Sequence, residues 1–317
     1  MSSNGSLFMA DSKRVLFIGS KQQGYAALET IFSVSRDSLI GILTLDDSGD
    51  TRTVLPRFME FSERTGVPLD IASNRKASEE VIKRVRPDLC LVVGWYWLID
   101  SAVLALVKDG MLGVHNSLLP RYLGGSPLIW SILNGDREVG FSLFSFTSGM
   151  DDGPVWARCR ASVSDDDYIA DILVKLEREL MEMLRQKFPL ILQGTIKPTQ
   201  QDHDQATYCA PRVPDDGLVD WRKPACDVYN FIRAQSSPYP GAFTYLDGTK
   251  LVLWRAKLFQ QTYFGTPGQI ARIGSEGVYL ICGSNTAVLV TDTEYSGDRA
   301  NPSKFITSIR TRLPSGR

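Results

Sequence analysis

Two histidines occur in the 317 residues, and His115 lies in the segment 113–122, which is rich in glycine, proline and polar residues. A second dense segment, 149–155, carries the carboxylates of Asp151 and Asp152. An imidazole beside a carboxylate is the smallest set of groups that moves protons at neutral pH. The alternative is a buried histidine whose ring is satisfied by the backbone. The surrounding glycines favour a site, because they let the backbone approach another molecule closely.

The composition is that of an ordinary globular protein, with 43% hydrophobic and 22% charged residues. The length predicts two domains. A net charge of −1 provides no overall field for capturing nucleic acid. Residues 206–317 carry 13 Lys and Arg and 9 Asp and Glu, so this part is +4 and the remainder is −5. An anionic partner and a solvated surface explain that asymmetry equally well.

The cysteine pattern favours free thiols and no metal, since the five cysteines are scattered and form no C-x-x-C pair. They are Cys90, Cys159, Cys209, Cys226 and Cys282. Free thiols are typical of a reducing compartment. The polar N-terminus lacks the apolar run of a signal peptide, and no apolar run is long enough to span a membrane. We therefore expect a cytoplasmic protein without a membrane partner.

Short apolar runs alternate with helical patterns over the first 190 residues, which is typical of a parallel sheet covered on both faces. Strands are predicted at 14–19, 39–45, 67–71, 87–93 and 140–146. Helices are predicted at 23–34, 53–64, 78–86, 128–134 and 168–190. In such sheets ligands bind beyond the C-terminal ends of the strands.

The loop after the strand at 87–93 contains Trp95, Tyr96 and Trp97 directly behind a glycine. It is either a core or interface cluster or an apolar wall for a flat ligand. The loop at 19–24 matches neither the dinucleotide nor the P-loop glycine spacing, so we infer no dinucleotide or ATP site. Its helix N-terminus could still hold a small anion.

The pattern changes after a polar, linker-like segment at 198–208. One helix, at 225–234, precedes five short strands punctuated by glycine, at 242–246, 251–257, 268–273, 277–282 and 287–292. Such strands suggest a small β-barrel, OB-like, or a curled sheet. We predict an α/β chain with a Rossmann-like, mostly parallel sheet in a catalytic domain at 13–204 and a smaller β-rich domain at 205–317.

The motifs GVHNSLLPRYLGGSP and GFSLFSFTSGMDDGPV resemble the active-site segments of the 10-formyltetrahydrofolate-dependent formyltransferase superfamily. The family pattern is Asn-x-His-x-Ser-Leu-Leu-Pro, a glycine-rich stretch, and Gly-Leu/Met-Asp-x-Gly. The 36-residue spacing from His115 to Asp151 also fits. The resemblance covers about residues 14–190. It continues more weakly at YCAP, VDW, IRA and PYPGAF, which are similar to the C-terminal domain of Met-tRNA and aminosugar formyltransferases.

The resemblance implies that an amine attacks the formyl carbon on N10 of 10-formyltetrahydrofolate, with no metal. His115 would face the formyl oxygen and manage protons, and Asp151 would orient and charge it. Residues 117–120 would shape the turn behind His115. The implied folate pocket consists of Gly94, Trp95, Tyr96, Trp97, Leu98, Thr147, Gly149 and Asp152. Arg121 and Lys21 are candidate anion contacts or solvated surface charges.

Two positions depart from the family pattern. Gly113 stands where the family has an asparagine that donates to the oxyanion. Asn116 could replace it if the backbone is not extended there, because neighbouring strand residues point to opposite faces. A backbone N–H or a water is the other option. Leu123 stands where the family has an arginine.

We expect an N-formyltransferase acting on a primary amine of a nucleotide-linked amino sugar or a similar small metabolite. The near-neutral charge favours this acceptor over tRNA, because phosphate contacts need clustered Lys and Arg. Met-tRNA formyltransferase is the alternative, because the +4 charge of residues 206–317 is compatible with binding tRNA. Hydrolysis of 10-formyltetrahydrofolate is another, because the hydrolase domain also lacks the asparagine. The fourth possibility is a non-catalytic protein that binds folate or a nucleotide. The presence of both His115 and Asp151 argues against it. A homodimer is the oligomeric state to test.

Overall fold

The computed structural model describes residues 13–50 and 52–316, which form two compact units. The first unit comprises the described residues up to Leu123, together with Gly140–Arg160 and Leu176–Thr207. The second comprises Gly124–Val139, Ala161–Lys175 and the described residues from Tyr208 onward. The chain thus changes unit several times, and the single boundary at residue 205 stays a prediction.

The first unit is built on a seven-stranded sheet with the order β3-β2-β1-β4-β5-β7-β8. The strands of this part of the chain are β1 (Val15–Gly19), β2 (Leu39–Leu45), β3 (Leu69–Ala72), β4 (Leu89–Val93), β5 (Met111–His115), β6 (Leu123–Gly124), β7 (Glu138–Ser145) and β8 (Val155–Ser162). The five strands from β3 to β5 are parallel, and β7 runs antiparallel to β5. The predicted mostly parallel sheet is confirmed.

Burial explains why these strands read as continuous apolar runs. Every residue of β1 and of β4 is buried, as expected of central strands that are covered on both faces. The sequence analysis missed β5, which is five residues long and has Gly113 at its centre. Pairing with β4 and β7 stabilises it, so tertiary context outweighs the low strand propensity of glycine.

Six of the seven α-helices in the described residues occur where the periodicity predicts them, and the short α4 was not predicted. They are α1 (Lys21–Ser35), α2 (Leu55–Thr65), α3 (Arg75–Val85), α4 (Ser101–Leu104), α5 (Pro127–Leu133), α6 (Ile169–Leu192) and α7 (Ala225–Gln235). The predicted start of α3 at Ser78 was three residues late. Asn74 caps this helix by accepting a hydrogen bond from the Ala77 N–H at 2.9 Å, and such a cap contributes about 1 kcal/mol.

The second unit contains an antiparallel sheet with the order β10-β11-β14-β13-β12, and β15 pairs with β14. After the short β9 (Tyr208–Cys209), its strands are β10 (Ala242–Leu246), β11 (Thr249–Phe259), β12 (Ile270–Gly274), β13 (Gly277–Ile281), β14 (Ala287–Tyr295) and β15 (Asp298–Ala300). All five predicted strands are present. Trp221 is fully buried among their apolar side chains.

Within the described residues, no helix has the length and apolar character needed to cross a membrane. The same part of the chain contains no group of three metal-ligating side chains placed to hold an ion. All five cysteines are free thiols. Burial raises the pKa of Cys159 to about 11 and that of Cys282 to about 12, so both stay protonated at neutral pH.

Candidate active site

His115 is the last residue of β5, at the C-terminal edge of the sheet, and is 8% exposed. Its Nε2 lies 2.8 Å from the carbonyl oxygen of Tyr122. A carbonyl oxygen only accepts, so Nε2 carries the proton and donates it. The backbone therefore satisfies one side of the ring, as the buried-histidine alternative expects. In the neutral ring the lone pair is left on Nδ1.

The carboxylate of Asp151 approaches that second nitrogen, with Oδ2 at 3.6 Å from Nδ1 of His115. A neutral Nδ1 and a carboxylate are both acceptors, so they face each other favourably only when a proton lies between them. That proton is either on the imidazole or on a donor that inserts between the two groups. The structure thus brings the two predicted side chains together and identifies Nδ1 as the atom able to take a proton.

A network of serine hydroxyls holds the turn that carries the Tyr122 carbonyl. Ser117 Oγ donates to the Arg121 carbonyl at 2.6 Å, and Ser142 Oγ donates to the Ser117 carbonyl at 2.8 Å. The Leu119 N–H donates to the same Ser142 hydroxyl at 3.1 Å. Since Ser142 is fully buried in β7, these bonds anchor the turn to the sheet. Residues 117–120 do shape the turn behind His115.

Gly113 has a structural reason that the sequence does not reveal. A Cβ at this position would overlap the ring of Phe146, so the aromatic ring occupies the space of any side chain at residue 113. The Phe146 ring lies 5.3 Å from that of Phe144, which meets the His115 ring edge-on at 6.1 Å. One wall beside the imidazole is therefore apolar, where the resemblance implies an amide.

Gly113→Ala is expected to lower the free energy of unfolding by about 1–3 kcal/mol, because the added methyl group overpacks against Phe146. Urea denaturation followed by circular dichroism measures this change. Gly41→Ala in β2 is the matched control, because its Cβ would lie at an ordinary 3.4 Å from Leu16 Cδ1. Equal stability of the two variants would refute the steric explanation.

Asn116 follows β5 at a bend in the chain. The extended backbone of β5 therefore ends before Asn116, so the rule that neighbouring strand residues point to opposite faces does not apply to it. Its side chain is half-buried and has no hydrogen-bond partner among residues 13–50 and 52–316. The donor role of Asn116 stays a prediction.

Asn116→Ala is expected to reduce kcat by about 10-fold or more, because removing one oxyanion donor weakens stabilisation of the developing charge. Initial rates of formyl transfer at saturating substrate measure the effect. An unchanged kcat would assign the oxyanion to a backbone N–H or to water.

The loop after β4 has features that suit a flat, partly apolar ligand. Gly94 has a φ of +68°, and a Cβ there would lie 2.6 Å from the Ser20 carbonyl oxygen, so glycine is required. Trp95 Nε1 is buried without a hydrogen-bond partner in the described part of the chain. The rings of Trp95 and Trp97 meet edge-on at 5.4 Å, whereas Tyr96 and Leu98 are exposed, Leu98 by 81%.

The second predicted loop, between β7 and β8, is closed by its own side chains. Thr147 Oγ1 donates to Asp152 Oδ1, across the exposed Gly149. Asp152 therefore has a hydrogen-bond partner within its own loop. Direct ligand contacts by Thr147, Gly149 and Asp152 stay predictions.

Lys21 is not an unpaired cation. Its Nζ lies 2.5 Å from Asp47 Oδ2 and 2.8 Å from Asp50 Oδ2. Burial lowers the pKa of the Lys21 ammonium, but its bonds to the two carboxylates outweigh burial and raise that pKa above its ordinary value. Two acids thus neutralise this cation. Arg121 is exposed, with its guanidinium 5.1 Å from the Tyr122 ring.

Leu123 stands at a core position and is 1% exposed. It packs with Leu119, Phe144 and Val155 in one apolar cluster. A charged arginine in this environment would need a buried partner. The local core thus explains why leucine occupies this position.

Sequence reasoning missed two contributors to the site. Tyr122 acts through its backbone carbonyl, which leaves no side-chain signal in a sequence. Gln201 was placed in a polar linker, yet it is 6% exposed and hydrogen-bonds the Asp151 loop. Its neighbour Gln200 is exposed, so only the three-dimensional contacts distinguish the two glutamines.

A cavity of about 540 Å³ occurs within the second unit, and none of the residues described above lines it. Tyr168 and Tyr229 line it, with Arg255 and Lys257 at the solvent-exposed side. Two carboxylates, Asp165 and Asp166, also line it, and Asp165 is paired with Arg137. The candidate active site is therefore assigned to His115, where an imidazole nitrogen and a carboxylate face each other.

Two family models match the chain: the model described as Formyl transferase matches residues 57–186, and the one described as Formyl transferase, C-terminal domain, matches 213–310. The methionyl-tRNA formyltransferase of Acetivibrio thermocellus is 30% identical over 292 residues, covering 90% of this chain and 93% of that protein. The methionyl-tRNA formyltransferase of Myxococcus xanthus is 31% identical over 292 residues, covering 90% and 91%.

The fold is also that of a solved N-formyltransferase whose crystal contains a nucleotide-linked sugar. The N-formyltransferase from Helicobacter canadensis, solved with folinic acid and dTDP-3-aminofucose, superposes with a TM-score of 0.66 at 15% identity, covering 88% of this chain and 99% of that one. The two-domain fold and the matched models define an enzyme that transfers formyl groups. The chain belongs to the formyl transferase family.

Proposed function

We propose that the chain transfers a formyl group from 10-formyltetrahydrofolate to a primary amine. In this proposal Nδ1 of His115 accepts a proton from the amine and then releases it. The observation that supports this most directly is the approach of Asp151 Oδ2 to Nδ1 at 3.6 Å while Nε2 is held by a carbonyl. The backbone bond sets the tautomer, and the carboxylate stabilises the imidazolium.

In the proposed reaction the amine lone pair forms a bond to the formyl carbon, and the C=O electron pair moves onto oxygen. Nδ1 takes a proton from the attacking nitrogen, and Asp151 balances the positive charge. The C=O bond then re-forms as the bond to N10 breaks. Nδ1 returns the proton to N10, so the products are a formamide and tetrahydrofolate. General acid–base catalysis of this kind contributes about 10²- to 10⁴-fold.

The residues after β4 fit the folate co-substrate, which would supply the formyl group. Exposed Leu98 and Tyr96 offer an apolar and aromatic surface, and Trp95 Nε1 is a buried donor without a partner in the described residues. A flat heteroaromatic ring with acceptor atoms would satisfy both features. Several solved relatives, including the H. canadensis enzyme, carry a folate in their crystals.

For the acceptor, the sequence comparison favours methionyl-tRNA over the small-molecule amine that we predicted first. The relatives at 30–31% identity are methionyl-tRNA formyltransferases matched over about nine-tenths of both chains. The H. canadensis N-formyltransferase is 15% identical and supports the fold alone. We therefore propose the methionyl amino group of a charged tRNA as the first acceptor to test.

The charge of the second unit favours the small-metabolite amine as the second candidate. With the segments at 124–139 and 161–175 included, the described residues of this unit carry 14 Lys and Arg against 15 Asp and Glu, so the +4 of residues 206–317 disappears. Several arginines are bound to acids, as Arg222 is to Asp220 and Arg299 to Asp292. A uniform phosphate-binding surface would need such cations to be free.

The test is formyl transfer by the purified chain with 10-formyltetrahydrofolate and three acceptor conditions: methionyl-tRNA, a panel of nucleotide-linked amino sugars, and none. Formylated product with only one acceptor class assigns the substrate. Release of formate and tetrahydrofolate without an acceptor would instead establish hydrolysis. Binding of methionyl-tRNA that weakens steeply with salt would exclude the small acceptor as the main substrate. No turnover under any condition would refute the proposed function.

A further inference from the structure

Asp151, the carboxylate beside His115, has an unfavourable backbone conformation. Its φ is +54°, in the left-handed region that is unfavourable for a residue with a Cβ atom. Such a conformation persists only where the surrounding structure determines it. Contacts with the surrounding structure therefore keep Asp151 where its carboxylate reaches Nδ1.

The side chain of Gln201 makes the contacts that can do this. Its Nε2 donates to the Asp151 carbonyl at 2.7 Å and to the Gly153 carbonyl at 2.7 Å. The amide orientation is unambiguous, because the reverse orientation would set its oxygen against two carbonyl oxygens. Both N–H donors of one buried amide are thus committed to the backbone on either side of Asp152.

The glutamine is itself anchored to the sheet. Two residues before it, Thr199 exchanges backbone hydrogen bonds with Val155 of β8, each at 2.8 Å. Gln201 is 6% exposed, so its bonds are shielded from competing water. The segment 199–201 therefore forms a fixed support for the Asp151 loop.

We propose that Gln201 is a positioning residue: its amide holds the left-handed Asp151 backbone so that the carboxylate faces Nδ1 of His115. Loss of the two N–H donors would let Asp151 relax toward negative φ and carry Oδ2 away from the imidazole. The effect on turnover would then pass entirely through Asp151. This inference rests on the proposed formyl transfer.

A double-mutant cycle tests the inference. Gln201→Ala is expected to reduce kcat by about 10- to 100-fold with KM for the folate little changed, because binding does not use Gln201. In an Asp151→Asn background the same substitution is expected to change kcat by less than about 3-fold, since the carboxylate is already lost. Gln200→Ala, the exposed neighbour, is the matched control and should behave as the unmodified chain.

A second measurement is independent of activity, because the chain has only two histidines. Ring ¹⁵N signals of His115 should move in Gln201→Ala toward those of Asp151→Asn, while those of exposed His203 stay in place. Thermal unfolding of each variant separates this effect from loss of the fold.

Three results would overturn the inference. They are unchanged kcat in Gln201→Ala, an equal loss of kcat in the Asp151→Asn background, and His115 signals that do not move. Failure of the proposed function is distinguishable from failure of this inference. In the first case the unmodified chain would show no formyl transfer, while the ring signals of His115 would still report the position of Asp151.

Discussion

His115→Ala is expected to lower kcat for formyl transfer by about 10²- to 10⁴-fold, the largest effect of any single substitution in the chain. The imidazole is the group whose Nδ1 is free of the backbone and faces a carboxylate. Without it, the attacking amine must lose its proton to water, and N10 must leave without a positioned acid. Single-turnover rates with bound folate measure the chemical step directly.

Binding of the folate is expected to change little in His115→Ala, because the proposed pocket is formed by other residues. The substitution also leaves the buried Tyr122 carbonyl without its donor, which costs about 1–3 kcal/mol of stability. His115→Gln retains an N–H donor but no base of suitable strength, so it separates folding from catalysis. His203→Ala, the exposed histidine, is the matched control. Normal turnover by a folded His115→Gln would remove the acid–base role.

Asp151→Asn is expected to lower kcat by about 10²-fold, because the positive charge that forms on the imidazole loses its partner. Asparagine has the same shape and tolerates the left-handed backbone at this position, so the loop should be preserved. The measurement is the ratio of kcat of Asp151→Asn to kcat of the unmodified chain over a series of pH values. The dependence of this ratio on pH shows whether the loss of kcat follows the positively charged form of His115.

Two comparisons check the Asp151→Asn result. Asp204→Asn, an exposed acid elsewhere in the first unit, should leave kcat unchanged and excludes a general effect of charge. Circular dichroism and thermal unfolding should match those of the unmodified chain. A fall of less than 3-fold in kcat would mean that Asp151 does not stabilise the imidazolium, and that His115 works with its backbone bond alone.

Much of the fold was predictable because its signals are local. Strands β1, β2 and β4 are short, continuous apolar runs, so their composition predicts strands that are buried on both faces. The missed β5 and β8 lack that signature: β5 contains a glycine, and β8 alternates buried and exposed residues with charges. Their pairing partners make them strands, and pairing partners are distant in sequence.

The acceptor illustrates a second limit of sequence reasoning. The +4 charge was counted over residues 206–317, close to the predicted C-terminal domain. The folded second unit also includes acidic segments from earlier in the chain. Asp165, Asp166 and Asp167 belong to that unit although they precede the predicted boundary. Charge acts through space, so a count along the chain can leave out acids that fold into the same unit.

The sequence by itself determined the class of enzyme and predicted the two side chains of the candidate site, because residue types at a motif's spacing can be recognised without coordinates. Tertiary structure alone decided the contacts around these side chains: which imidazole nitrogen is held by a carbonyl, why residue 113 has no side chain, and which glutamine hydrogen-bonds the Asp151 loop. These are contacts between atoms remote in sequence, several of them backbone atoms or aromatic rings. Such contacts exist only once the chain has folded.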